Sequence, residues 1–309
     1  MHQVVTRFAP SPTGLLHLGS AYSALVAWTR LAAQQARALF AARRVVERVL
    51  IERFTASATR EQLAALGNCV HCHTREEGER LAGGRAMHTP FGVVHTTNLS
   101  PDVETGIGTW SFAAFQRAMR EGISRDGRHL YPAFPYTAFS RMTDEDMLAL
   151  YAWLMSQPAV AASPPETQLA FPFNWRPGMV LWNALFHTGL PVQADASKSD
   201  AWNRGAYLVE GLGHCAMCHN ENKLVGNSSL AGRFGGGVID GWYAPNITPD
   251  GHQGIGAWSD EEIKRSITQG VRRDGSKLLP PMGYPWYARM TDADLNAIVA
   301  YLRTVPPKE

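Results

Sequence analysis

Two short segments constrain this chain more than anything else in it: Cys69-Val70-His71-Cys72-His73 and Cys215-Ala216-Met217-Cys218-His219. They hold all four cysteines of the 309 residues, as two close pairs 146 positions apart (215 − 69), unlike the scattered cysteines of a disulfide framework. A CxxC pair alone suits a zinc half-site, a redox dithiol or a buried disulfide, but none of these requires a histidine directly after each pair. CxxCH is the attachment signature of c-type haem. Two thiols three positions apart form thioethers to the vinyl groups of one porphyrin edge, and the adjacent histidine ligates the iron. The sequence therefore predicts two covalently bound haem c groups, one on Cys69 and Cys72 with His73, the other on Cys215 and Cys218 with His219.

The motifs belong to a longer internal repeat. Thr97-Asn98-Leu99-Ser100-Pro101-Asp102 returns as Pro245-Asn246-Ile247-Thr248-Pro249-Asp250, and Gly106-Ile107-Gly108-Thr109-Trp110-Ser111 as Gly254-Ile255-Gly256-Ala257-Trp258-Ser259. The offset is 148 (246 − 98) and still holds from Met142-Thr143-Asp144 to Met290-Thr291-Asp292. A tandem duplication follows, which divides the chain into an atypical segment 1–58, a first haem domain 59–158, a linker 159–199 and a second haem domain 200–309.

Each repeat reads as short helices joined by Gly and Pro loops, closed by an amphipathic helix over Asp144–Met155 or Asp292–Arg303. Thr143 and Thr291 stand as N-caps with acidic Asp146 and Asp294 at N3, and Met142 with Met147, like Met290 with Leu295, takes hydrophobic-staple positions. No strand alternation stands out, so an all-α fold of two tandem haem domains is expected. Each domain is small enough for an enclosed haem to supply much of its core. The Pro-rich aromatic linker, Phe171-Pro172-Phe173-Asn174-Trp175-Arg176-Pro177 and Met179 to Phe186, offers either a docking surface or a crossover packed on both domains. Aromatic residues are mostly buried, which favours the crossover. The net charge of +2 provides no dense basic stripe, so nucleic acid is not an expected partner.

From about Leu63 to Pro307, roughly four-fifths of the chain, the sequence resembles the cytochrome c subunits of membrane-associated bacterial dehydrogenases acting on gluconate, alcohols or aldehydes, or working with molybdenum hydroxylases. The resemblance rests on Gly67-Asn68-Cys69 through His73-Thr74, Thr89-Pro90-Phe91-Gly92, Leu130-Tyr131-Pro132-Ala133-Phe134-Pro135-Tyr136, Phe171-Pro172-Phe173-Asn174, Trp182-Asn183 and Trp202-Asn203-Arg204-Gly205-Ala206-Tyr207-Leu208. It implies two class I cytochrome c folds acting as an electron relay rather than an enzyme. A catalytic dehydrogenase subunit of flavin, quinoprotein or molybdenum type would donate electrons and a quinone or terminal oxidase would accept them, at the periplasmic face of the inner membrane. The competing class is a dihaem enzyme, a peroxidase or thiosulfate-oxidising cytochrome, whose first haem is open or unusually ligated.

That competitor arises at the sixth iron ligand. The resemblance places a ligand methionine at Met282, in Pro280-Pro281-Met282-Gly283. Subtracting 148 from 282 gives Phe134, which cannot ligate iron. Met142 is the nearest substitute but shares its staple position with Met290; otherwise the first haem is five-coordinate or uses His129 or His95.

The N-terminus departs from the pattern. Met1 to Phe40 lacks the basic, apolar and small-residue order of an export signal. Instead Arg7-Phe8-Ala9-Pro10-Ser11-Pro12-Thr13-Gly14 through Leu25 resembles the opening of glutamyl-Q tRNA(Asp) synthetase, with His17 to Ser20 at its nucleotide signature. The match fades by about Arg30 with no lysine-rich partner motif, which suggests a fused or misassigned start. Aligned on the cysteines, Gly205 and Tyr207, the expected packing partners of Tyr301, correspond to Thr59 and Glu61. A less stable first domain is therefore expected.

Overall fold

The helix starts follow from side chains that satisfy orphan backbone N–H groups. Ser111, Thr143, Ser199, Ser259 and Thr291 each accept a bond from the N–H three residues on, and Ser259 with Glu262 completes a capping box. In the computed structural model, residues 27–31, 34, 57–187, 192–220, 233–239, 241–279 and 281–309 are described. The chain divides into Met1–Phe54 and Thr55–Glu309. Of the first unit, residues 27–31 are helical, with Trp28 and Leu31 exposed; the synthetase-like motif at His17 to Ser20 lies outside the described residues.

In the second unit, the first repeat contributes α1 (Ser57–Leu66), α2 (Cys69–Cys72), α3 (Phe112–Glu121), α4 (Tyr136–Phe139) and α5 (Asp144–Met155). The linker holds α6 (Gly178–Phe186). The second repeat contributes α7 (Asp200–Tyr207), a π turn over Leu208–Leu212, a 3₁₀ turn over Cys215–Met217, α8 (Asp260–Gln269), α9 (Tyr284–Tyr287) and α10 (Asp292–Leu302). α1 packs on α5 and α7 on α10, so each repeat brings its first helix against its last. Gly205 makes the second crossing possible: a Cβ there would lie 1.9 Å from the Ala297 carbonyl oxygen and 2.8 Å from the Tyr301 Cβ.

The all-α expectation needs correction, because short antiparallel ladders accompany the helices. β1 (Ala86–Thr89) pairs with β2 (Gly92–His95), which also pairs with β3 (Gln168–Leu169) of the linker; β4 (Gly237–Ile239) pairs with β5 (Trp242–Ala244). Two to four residues are too few for a period-2 signal to emerge from the sequence.

The two repeats do not form separate cores. One apolar cluster runs from Leu63 and Val70 through Met142, Leu150 and Leu154 to Leu208, Leu212, Ile298 and Leu302. Of the residues expected against Tyr301, Gly205 meets it directly. The Tyr207 hydroxyl crosses to the first repeat, where it donates to Asp146 at 2.7 Å and accepts from the Thr143 N–H at 3.2 Å, while Trp202 meets Tyr301 edge-on at 5.1 Å. A comparison of the isolated repeats therefore measures a severed core as well as the intrinsic stability of each.

The linker differs from the packed crossover favoured by its composition. Trp182 and Asn183 lean on the first repeat, but Phe171, Trp175, Val180, Leu181 and Leu185 are exposed.

Candidate haem-attachment sites

Both CxxCH segments form tight turns at the end of a first helix, and each is preceded by a residue in the left-handed region: Asn68 at φ 52° and His214 at φ 38°. This bend lets the cysteines share one turn. The four cysteines are free thiols. Burial, with a smaller contribution from Cys72, pushes Cys69 up to about 12; burial, with Cys218, does the same for Cys215. Burial also raises Cys72 to about 11 against the opposing charge of Arg85. All three stand as neutral thiols at neutral pH.

The histidines that follow are held alike. His73 Nδ1 donates to the Thr97 carbonyl at 2.7 Å, and His219 Nδ1 to the Pro245 carbonyl at 2.7 Å. A histidine fixed through Nδ1–H presents Nε2 as a ligand, which is the usual outer-sphere arrangement of a metal-binding imidazole. Burial drops the His73 imidazole to about 4, so it is neutral and able to donate its lone pair. At the first turn two neutral thiols next to an oriented neutral imidazole fit a covalently attached haem, and the second turn orients its histidine in the same way. A zinc reading fits less well, since among the described residues no three His, Cys, Asp or Glu side chains gather into a metal site.

The walls of the two sites repeat in detail. Asn98 Nδ2 donates to the Val160 carbonyl at 2.8 Å and Asn246 Nδ2 to the Lys308 carbonyl at 2.7 Å. Gly122 and Gly270, left-handed ends of α3 and α8, lie under the rings of Tyr136 and Tyr284, where a Cβ would come within 2.7 Å of either ring. α4 and α9 stand 148 residues apart at both ends (284 − 136 and 287 − 139). Phe134 and Met282 therefore occupy the same place, two residues ahead of matching helices.

Met282 is partly buried against the core. Met142 is fully buried together with Met147, where a staple is expected. His95 is tied through Nδ1 to the Glu166 carbonyl at 2.9 Å, and His129 lies in the turn bridged to Ile123, its carbonyl accepting from Arg176 at 2.6 Å.

The two turns meet across a pseudo-two-fold interface. A Cβ on Gly67 would lie 3.0 Å from Leu212, and one on Gly213 3.4 Å from Leu66. Asn68 Nδ2 donates to the Tyr287 hydroxyl at 2.7 Å, while His214, the counterpart of Asn68, packs edge-on against Phe139, the counterpart of Tyr287, at 5.5 Å. The sequence reading missed this interface, as well as a buried carboxylate beside it. Glu210 accepts from the Tyr301 hydroxyl at 2.5 Å and pairs with Arg233 and, at 3.6 Å, with Arg141 of the first repeat. Burial, and then the neighbouring Arg141, lowers Arg233 to about 10.

The Cytochrome c family matches residues 59–158 and 203–306. The chain belongs to the cytochrome c family. The dihaem cytochrome c-type protein of Cereibacter sphaeroides is 34% identical over 270 residues, covering 82% of this chain and 88% of that protein. This cytochrome is also 49% identical over 247 residues to a nicotinate dehydrogenase subunit of Pseudomonas putida, covering 79% of the chain and 21% of the relative. It is 40% identical over 252 residues to the fructose dehydrogenase cytochrome subunit of Gluconobacter japonicus, covering 80% of the chain and 52% of the relative. The cytochrome thus spans about a fifth and about half of those two proteins. Residues 3–43 match a different family, the catalytic domain of class I tRNA synthetases for Glu and Gln.

Proposed function

We propose that this cytochrome is the electron-transfer part of a dehydrogenase assembly, carrying one haem c on each CxxCH turn and passing single electrons from a catalytic subunit to a quinone or terminal oxidase. Bound haem would supply the reversible one-electron chemistry. Cys69, Cys72, Cys215 and Cys218 would anchor it, His73 and His219 would ligate from the proximal side, and Met282 would close the second site. The observation that carries this reading is the paired orientation of His73 and His219 through Nδ1, each beside two thiols.

The relatives named as cytochrome subunits of fructose, gluconate and alcohol dehydrogenases support the relay over the enzyme alternative. A catalytic partner also accounts for the uncharged outer face of α6: Val180, Leu181 and Leu185 with Trp175 and Phe171 form the apolar, charge-free surface expected at the centre of a subunit contact. Among the described residues no helix is long and apolar enough to cross a membrane.

The test is production with the c-type maturation machinery, followed by intact mass, pyridine haemochrome and redox titration. Two haems per chain, both reversibly reducible, are expected, and the double substitution Cys215→Ser with Cys218→Ser should remove one of them. A chain that binds zinc or forms disulfides in place of haem refutes the reading.

A further inference from the structure

The duplication makes each repeat a control for the other, and the sites differ most where Phe134 replaces Met282. The difference is not a slip of register. α4 and α9 begin at equivalent residues, the rings of Tyr136 and Tyr284 sit over equivalent glycines, and Thr143 and Thr291 cap equivalent closing helices. A fixed frame thus presents a methionine thioether in one repeat and a phenyl ring in the other.

Met142 is fully buried in the staple position that Met290 holds in the second repeat, where Met282 is present, so packing accounts for both. His95 ends β2 two residues before Thr97, whose carbonyl holds His73, and its Nδ1 bonds the Glu166 carbonyl, while the main-chain carbonyl of His129 accepts from Arg176. The neighbours of Phe134 are aromatic: Phe139 at 5.5 Å and Tyr136 at 6.3 Å between ring centres.

A second observation is independent of the ligand count. In a haem site closed by methionine, the metal bond pins the loop that carries it. The Leu130–Tyr136 loop is pinned from outside instead. The Tyr136 hydroxyl donates to Asn183 at 2.6 Å, and Asn183 donates on to the Glu121 carbonyl at 3.2 Å. Trp182 and His187 pack edge-on against the same tyrosine at 6.2 and 5.2 Å, and Arg176 stacks over Tyr131 at 4.7 Å. Tyr136 is fully buried under this cover, whereas its counterpart Tyr284 is partly exposed. The linker clamps the one loop that lacks a methionine.

We infer that the first haem is five-coordinate, with Phe134 on its sixth side, and binds small neutral ligands of the carbon monoxide and nitric oxide class that Met282 excludes from the second haem. The Tyr136 hydroxyl beside Phe134 is committed to Asn183. This inference rests on the reading that both turns carry haem.

The test uses the dihaem holoprotein and carbon monoxide. Half of the reduced haem should shift its absorption on titration, and the oxidised protein should show one high-spin and one low-spin species by EPR. Phe134→Met should become low-spin throughout and lose the carbon monoxide response; Met282→Phe should open the second haem as well. Met142→Leu should leave the wild-type spectra unchanged, which keeps the inference testable if Phe134→Met fails to load haem. Two low-spin haems indifferent to carbon monoxide in the wild type, or a newly high-spin haem in Met142→Leu, would overturn it while leaving the relay intact. Mass spectra with no haem on Cys69 and Cys72 would overturn both.

Discussion

Replacing Gly205 by alanine tests the helix crossing on which the second haem site is built. The added Cβ would lie 1.9 Å from the Ala297 carbonyl oxygen, 2.6 Å from its carbonyl carbon and 2.8 Å from the Tyr301 Cβ. Two of these neighbours are α10 backbone and the third is the root of a side chain, so nothing can swing aside. Restoring van der Waals distance requires α7 and α10 to part by roughly 1.5 Å, a gap that forfeits a large share of the dispersion energy along the contact. Overpacking of this kind costs about 1–3 kcal/mol and at times more. With backbone atoms this close the cost sits at the upper end, about 3 kcal/mol, and the better helix propensity of alanine returns about 1 kcal/mol, leaving a net loss of about 2 kcal/mol. For a unit of this size that is a fall in Tm of about 4–8 °C. Calorimetry of the holoprotein measures it, with Gly251→Ala as control, since a Cβ at Gly251 meets nothing within 4 Å. A Gly205→Ala protein melting within a degree of the control would refute the reasoning that this crossing has no spare space.

Glu210→Leu should be costlier than most surface changes, by about 3–5 kcal/mol in denaturant unfolding, because it leaves Arg233, whose side chain is mostly covered, and the half-buried Arg141 without their buried carboxylate; a Cm within error of wild type would count against the cluster. The Asp250 carboxylate accepts from the N–H groups of Gln253 at 2.6 Å and His252 at 2.9 Å, and these bonds hold its pKa below the ordinary value. A depressed carboxylate stabilises the fold above its unfolded pKa and loses that contribution as pH falls through the lower folded value. Asp250→Ala should therefore be less stable than wild type at neutral pH and approach it below about pH 4; a gap that stays constant with pH would contradict this.

Local chemistry made parts of this structure legible in the sequence. α5 runs from Asp144 to Met155 as its cap and period predict, and α10 stops one residue short of Arg303, which becomes its C-cap. The two CxxCH segments, read from the sequence as equivalent, likewise fold as matching tight turns. Features that depend on distant partners were hidden. Glu61 reads as a lost aromatic contact in its own repeat, yet it forms an ion pair with Arg289 of the other. Tyr207 reads as a packing residue of its own repeat, yet its hydroxyl bonds to Asp146 of the other. The aromatic linker reads as buried because aromatic residues usually are, but burial needs a covering surface. Here α6 spends Trp182 and Asn183 on the first repeat and turns Leu181 and Leu185 outward.

Duplication would place identical surfaces against each other about a two-fold axis, as in an isologous dimer. The reciprocal contacts of Gly67 with Leu212 and Gly213 with Leu66 retain that relation, and both lie directly beside the attachment turns. Cys72 lies within electrostatic reach of Cys218, so the two turns are neighbours in space. The departures from symmetry lie around this shared seam. Asn68 and Tyr287 form a hydrogen bond where His214 and Phe139 form a ring contact, and Glu210 gathers arginines from both repeats. A joint that only held two copies together would have little use for such asymmetry. In the proposed relay, charge and hydrogen bonding near each haem would be the means by which the protein sets its potential. Fusing the two repeats into one apolar cluster fixes the separation, leaving the unequal polar groups to distinguish the two ends of the path.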